Sequence, residues 1–125
     1  MGMSISGTSG LTFPDTTTLI SANQASVRAW VNFNGTGTVA IRAAFNVSSI
    51  TDNGTGDYTL NFTTALADAN YSALGTVRSN DDATQVALLQ LSSQTALTTT
   101  AVRVRTSVPV SAYADFSTIC VSIFR

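Results

Sequence analysis

The chain has 125 residues, of which only 10% are charged, against about 25% in ordinary soluble domains; it carries six arginines, seven acidic residues and a formal net charge of −1. Every cation is Arg, every anion is Asp, and there is no His, which excludes Ser-His-Asp and Cys-His catalysis and every His-containing metal site. Six scattered arginines against a negative balance also exclude the basic patch that a nucleic-acid partner requires.

The length is that of one domain, and 44% hydrophobic residues is too many for a disordered chain. Thr, Ser and Asn fill the polar positions that Glu and Lys occupy in helical proteins, a composition that favours strands and turns. Met1-Gly2-Met3-Ser4-Ile5 lacks the basic and apolar regions of a signal peptide. No apolar run approaches the roughly 18 residues of a membrane span, so no membrane insertion is expected.

In chain order, residues 1–25 read as an N-terminal, stalk-connecting extension. Gly7-Thr8-Ser9-Gly10 breaks regular structure, Phe13-Pro14-Asp15 signals a turn, and Thr16–Ala25 has room for one or two helical turns with Leu19, Asn23 and Val27 on one face. Residues 26–125 read as a β-sandwich. Val27, Ala29, Val31 and Phe33 alternate with Arg28, Trp30 and Asn32, the pattern of a half-buried strand. After the Asn34–Gly37 turn, Val39, Ile41 and Ala43 begin a second ribbon that Phe45, Val47 and Ser49 extend. The Asp52–Asp57 segment carries the strongest hairpin signal, with Asn53-Gly54 supplying positive φ. Tyr58–Thr63, Tyr71–Val77, Val86–Leu91, Thr99–Arg105 and Ser117–Phe124 complete seven strands, although Val86–Leu91 also suits a short helix. Seven strands with turns between them predict an all-β fold, an antiparallel sandwich or jelly roll. Cys120, the single cysteine, lies in the apolar run Ile119–Ile123 and reads as a buried, inert thiol.

The run from Arg28 to Arg42 (RAWVNFNGTGTVAIR), continuing from Phe45 to Thr63 (FNVSSITDNGTGDYTLNFT), resembles a segment of the tail-fibre proteins of tailed bacteriophages and prophages. Gly10–Thr18 looks like the TFPDGTTQ element that often precedes such domains, with Thr16 where Gly is usual. These stretches cover close to half of the chain; residues 64–125 match no further motif. The resemblance implies a virion structural protein, made in the host cytoplasm and assembled as a homotrimer. It also implies attachment to a bacterial surface receptor, a glycan or an outer-membrane protein, with no catalytic residues and no cofactor.

Weighing the chemistry residue by residue agrees with a non-enzymatic role. Asp81 and Asp82 are adjacent in a polar loop, where neighbours on extended backbone point apart rather than converge. The oxygen-rich Asp52–Asp57 turn lacks the calcium-loop spacing, and hairpin chemistry accounts for it without a metal. The Asn-x-Ser/Thr matches at Asn34, Asn46, Asn53 and Asn61 are what Thr- and Asn-rich β sequence generates by chance.

Trp30, with Arg28 and Arg42, is assigned to a subunit boundary, because Trp and Arg are enriched in protein interfaces; a sugar-stacking role for Trp30 is the alternative. An oligomer is also expected from strand edges without Lys and a net charge near zero. Receptor contacts are assigned to two loops: Asn80, Asp81 and Asp82 in Ser79–Thr84, and Tyr113 and Asp115 in Thr106–Phe116, stiffened by Pro109. A host-recognition module, a purely architectural trimerisation or capping domain, and a stand-alone carbohydrate-binding sandwich all remain open at this level.

Overall fold

The computed structural model describes residues 4–6, 10–12, 18–19, 27–78, 86–109 and 112–125. The first three groups form β1 (Ser4–Ser6), β2 (Gly10–Thr12) and β3 (Thr18–Leu19), a small antiparallel sheet of order β1-β2-β3. Thr18 and Leu19 are therefore strand where helical turns were expected; the remainder of 16–25 lies outside the described residues, as do the breaker 7–9 and the turn 13–15.

The sandwich is built from β4 (Val27–Asn34), β5 (Ala40–Phe45), β6 (Val47–Gly54), β7 (Asp57–Phe62), β8 (Ser72–Arg78), β9 (Leu88–Leu91), β10 (Ala101–Val108), β11 (Ala112–Tyr113) and β12 (Thr118–Phe124). One sheet runs β5-β4-β12-β8. In the other, β6 pairs with β7 and β7 with β10; β10 then takes β9 on its far side and β11 at Ser107–Val108. Every pairing is antiparallel.

Period-two alternation decides which side chains meet between the sheets. Ala29, Val31 and Phe33 of β4 and Ile119, Val121 and Ile123 of β12 are almost fully buried, facing Tyr58 and Leu60 of β7 and Val102 and Val104 of β10. Phe33 meets Tyr58 edge-on with ring centroids 5.2 Å apart, and Phe62 meets Tyr71 in the same way at 6.0 Å. Such pairs add about 1 kcal/mol each beyond the area they bury.

The expected strands are present, with several corrections. The ribbon foreseen from Val39 through Ser49 breaks at Asn46, which adopts φ 55° and sends the chain from one sheet to the other. Its amide secures that corner. Nδ2 donates to Arg28 O and Thr64 O, both at 3.1 Å, and Oδ1 accepts the Thr64 N–H at 2.7 Å.

The hairpin of 52–57 forms, but pairing continues to Gly54 opposite Asp57, so Thr55-Gly56 rather than Asn53-Gly54 makes the tip. Gly54 (φ 129°) sits at a register irregularity next to Asp52, whose carboxylate accepts the Gly54 N–H at 2.9 Å. Leu88–Leu91 is strand, because its backbone completes the free side of β10. β11 was not foreseen at all; two residues are too short for a periodic signal. Cys120 points away from the core and is half-buried on the outer face of β12, not enclosed as its apolar neighbours suggested.

Candidate functional site

Two surfaces of the sandwich differ in chemistry, and each collects some of the residues singled out above. The first is the outward face of β7 and β10. Arg103 lies directly across from Thr59, and Arg105 across from Asp57, so period two puts both guanidiniums on the side away from the core. Arg103 grips Asp57 in a two-pronged ion pair, Nε to Oδ1 and Nη2 to Oδ2, both at 2.7 Å. Arg105 Nε reaches Oδ2 at 3.2 Å.

Although it belongs to an outward face, Arg105 is only 6% exposed and Asp57 8%. The Ser92–Thr95 turn and Tyr113 close over them. Arg105 Nη2 donates to Gln94 Oε1 at 2.7 Å and Nη1 to the Tyr113 hydroxyl at 2.9 Å, while Arg103 Nη1 donates to Thr95 Oγ1 at 3.3 Å. The Arg103 hydrogen bonds, reinforced by the charges of both arginines, hold the Asp57 carboxyl below the usual carboxylate range despite its burial.

Tyr113 borders this network from the solvent side. Its ring centroid lies 5.0 Å from the Arg105 guanidinium carbon, and the residue is 46% exposed. It forms one wall of an open cleft of about 360 Å³ with Leu88, Gln90, Ser107, Val108 and Pro109. Asp115 has different partners: its Oδ1 accepts the Gly56 N–H at 2.7 Å and the Tyr58 hydroxyl at 2.6 Å. Asp115 therefore ties the segment after β11 to the tip of the β6–β7 hairpin. Burial, then the bond to Asp115, raises the Tyr58 phenol above its ordinary range. Tyr113 and Asp115 thus come to one end of the sheet but serve separate networks. Asn80, Asp81 and Asp82 lie outside the described residues.

The second surface is the outward face of β5-β4-β12-β8. Strand register puts Phe45, Trp30, Ser122 and Leu74 in one row across all four strands, with Phe45 54%, Trp30 38% and Leu74 60% exposed. Beside the row, a shallow hollow of about 420 Å³ lies over Gly75, Thr76, Cys120 and Ser122, between Leu74 and Phe124. Trp30 and Phe45 thus stand on the β4–β5 half of the face, and the hollow lies in the β12–β8 half, flanked by Leu74 and Phe124.

Arg42 bonds Asn32 Oδ1 at 3.3 Å on this face, and Arg28 donates to Arg125 O at 3.1 Å at its margin. The three residues assigned to a subunit boundary therefore share one region. Every residue of the edge strand β5 is exposed, and Arg42 is its single charge. The opposite sheet contrasts sharply: Asn61 Nδ2 donates to Ser49 Oγ and Thr51 Oγ1 at 3.1 and 3.0 Å, and Asn53 Nδ2 to Thr59 Oγ1 at 2.9 Å. The β6–β7 half of that face is polar and bonded to itself.

The Asp57–Arg103–Arg105 network was missed in the sequence, where Asp57 was absorbed into hairpin chemistry. The available signal was Arg103-x-Arg105: two cations at strand spacing in a chain so poor in charge demand a common anion. No protein-family model, curated protein or solved structure matches this chain.

Proposed function

We propose that the chain is the distal domain of a tailed-bacteriophage tail fibre, a homotrimeric virion structural protein that attaches the particle to a bacterial surface. The observation that carries this reading is the unpartnered apolar face of β5-β4-β12-β8. Monomeric soluble proteins rarely leave a contiguous apolar patch of more than a few hundred Å² in water, and an edge strand without Lys or Pro invites pairing with another chain. Here both features adjoin: Phe45 belongs to the exposed edge strand, and Trp30 and Leu74, on either side of Ser122, continue across the sheet.

A face with bulk on one half and a hollow on the other suits a head-to-tail contact, in which the large side chains of one subunit fill the hollow of the next. Contacts of that kind close into rings where the rotation between subunits divides a full turn, and otherwise run on as filaments. Three-fold closure comes from the resemblance of residues 28–63 to tail-fibre proteins. The outward face of the other sheet, with its polar, self-bonded β6–β7 half, then remains in solvent.

Sedimentation or light scattering tests the assembly. The expected mass is that of a trimer, and Leu74→Arg, which places a charge beside the hollow on the edge strand β8 without touching the core, should return a folded monomer with an unchanged circular dichroism spectrum. A wild-type monomer at micromolar concentration overturns the reading. Labelled protein that adsorbs to cells of a susceptible bacterium, and not to cells of a resistant one, supports attachment; indifference to both leaves an architectural role in its place.

A further inference from the structure

We propose that the cleft beside Tyr113 is a saccharide subsite for an uncharged pyranose, whose ring stacks on the phenol while its hydroxyls reach the Gln90 amide and the Ser107 hydroxyl. The inference names the chemical class of ligand for the attachment role above and rests on that reading only for where the sugar comes from.

Four observations carry it. First, Tyr113 is an exposed aromatic held in a fixed place. Its hydroxyl takes the Arg105 Nη1 donor, and Arg105 is in turn locked by Asp57 and Gln94 while almost wholly buried. A ring immobilised before binding offers a flat apolar plate with its ordering entropy already spent. Second, about 360 Å³ lies at the small end of the range for small-molecule sites, room for a sugar unit rather than a folded partner.

Third, the described lining holds no ionisable group other than Tyr113 itself. Leu88, Val108 and Pro109 suit the C–H face of a sugar ring, while Gln90 and Ser107 supply both donors and acceptors. The adjacent Asp57–Arg103–Arg105 network carries a net charge of +1, but its guanidiniums are engaged by Asp57, Gln94, Thr95 and the Tyr113 hydroxyl, so the described lining holds no cation to pair with a uronic or sialic acid. Fourth, the cleft lies on the sheet opposite the apolar assembly face. It stays open in the proposed trimer, and three copies would raise a weak single-site affinity by effective concentration.

Nuclear magnetic resonance titration of the intact protein tests this without cells or virions. The probes are neutral gluco-, galacto- and manno-configured disaccharides, with glucuronic and galacturonic acid as charged counterparts. Neutral sugars should shift the side-chain resonances of Gln90 and Tyr113, and the uronic acids should not. Tyr113→Ala should weaken binding by about tenfold, the loss of one stacking contact. Gln90→Ala, which lies across from Arg105 on β9 but takes part in none of its hydrogen bonds, should weaken it with the fold intact, while Tyr113→Phe keeps the plate and most of the affinity. No shift with any neutral sugar, a preference for the uronic acids, or equal binding by Gln90→Ala and wild type overturns the proposal. Sugar binding without adsorption to cells keeps the cleft and removes the attachment reading; adsorption undiminished by Tyr113→Ala keeps attachment and removes the cleft.

Discussion

Asp57 holds two guanidiniums on one carboxylate, and the consequences of losing it are unequal. In Asp57→Asn, Arg105 is left almost buried with a neutral amide in place of its counter-ion. Breaking a buried pair from one side costs about 3 kcal/mol, to be read as a lower urea midpoint at an unchanged slope. The carboxyl is held below its unfolded value, which lies near pH 4 by the reference scale. Folding therefore releases a proton, the stabilisation is complete above about pH 4, and it drains away as pH falls through the folded value. Asp57→Asn should flatten that acid limb without abolishing it, because Arg125 also holds Asp68 down to about 2. Tyr58 works in the opposite direction. Its single proton is claimed by Asp115, and its raised value means that the stabilisation is complete below about pH 10 and is lost as pH rises beyond it. Tyr58→Phe should lower stability by about 1–2 kcal/mol near neutrality and blunt the alkaline limb of the unfolding profile.

At the scale of elements, Asn46 is the corner on which two strands depend. Ala there pays about 1–2 kcal/mol for the left-handed backbone and about 1 kcal/mol for each amide hydrogen bond it loses. Gly pays only for the bonds. A thermal melt should therefore rank wild type above Asn46→Gly, and Asn46→Gly above Asn46→Ala; equal melts for the two variants would mean that the backbone is unstrained. Gly56→Ala should be more damaging than either, since φ is 62° and a Cβ would collide with Thr106 O, a backbone atom that cannot step aside.

The same elements show what a sequence discloses. Strand β4 was legible in full, because burial on one side writes itself into every second residue. The β5–β6 corner was not, since alternation runs through Asn46 unchanged while a single left-handed residue redirects the chain. Tyr113 was foreseen as exposed and aromatic, and Trp30 as outward-facing, from local pattern alone. Asp57 was hidden because its partners lie 46 and 48 residues away, and no local period encodes a pairing across that distance.

For the whole molecule, the division of labour between faces follows from which sheet keeps its polar groups occupied. Ser, Thr and Asn on the β6–β7 side bond to one another, whereas Trp30, Phe45 and Leu74 on the other side have only water or a neighbour to meet. With a net charge of −1, little repulsion keeps separated subunits apart. Subunits of the proposed trimer, separated in denaturant and returned to buffer, should therefore associate non-specifically, and light scattering should show aggregates that grow with protein concentration rather than long-lived wild-type monomers. The strand order has a further outcome in time. β12 lies between β4 and β8, so Val121 must find Val31 and Gly75, partners from early and middle parts of the chain. During synthesis β4 and β8 have no common neighbour until β12 has left the ribosome, and β8 must wait unpaired. Such distant pairing gives a high contact order and folding on the scale of milliseconds to seconds, and it leaves the nascent β4–β5 hairpin with the inner side of β4 uncovered and its second edge open until β12 arrives.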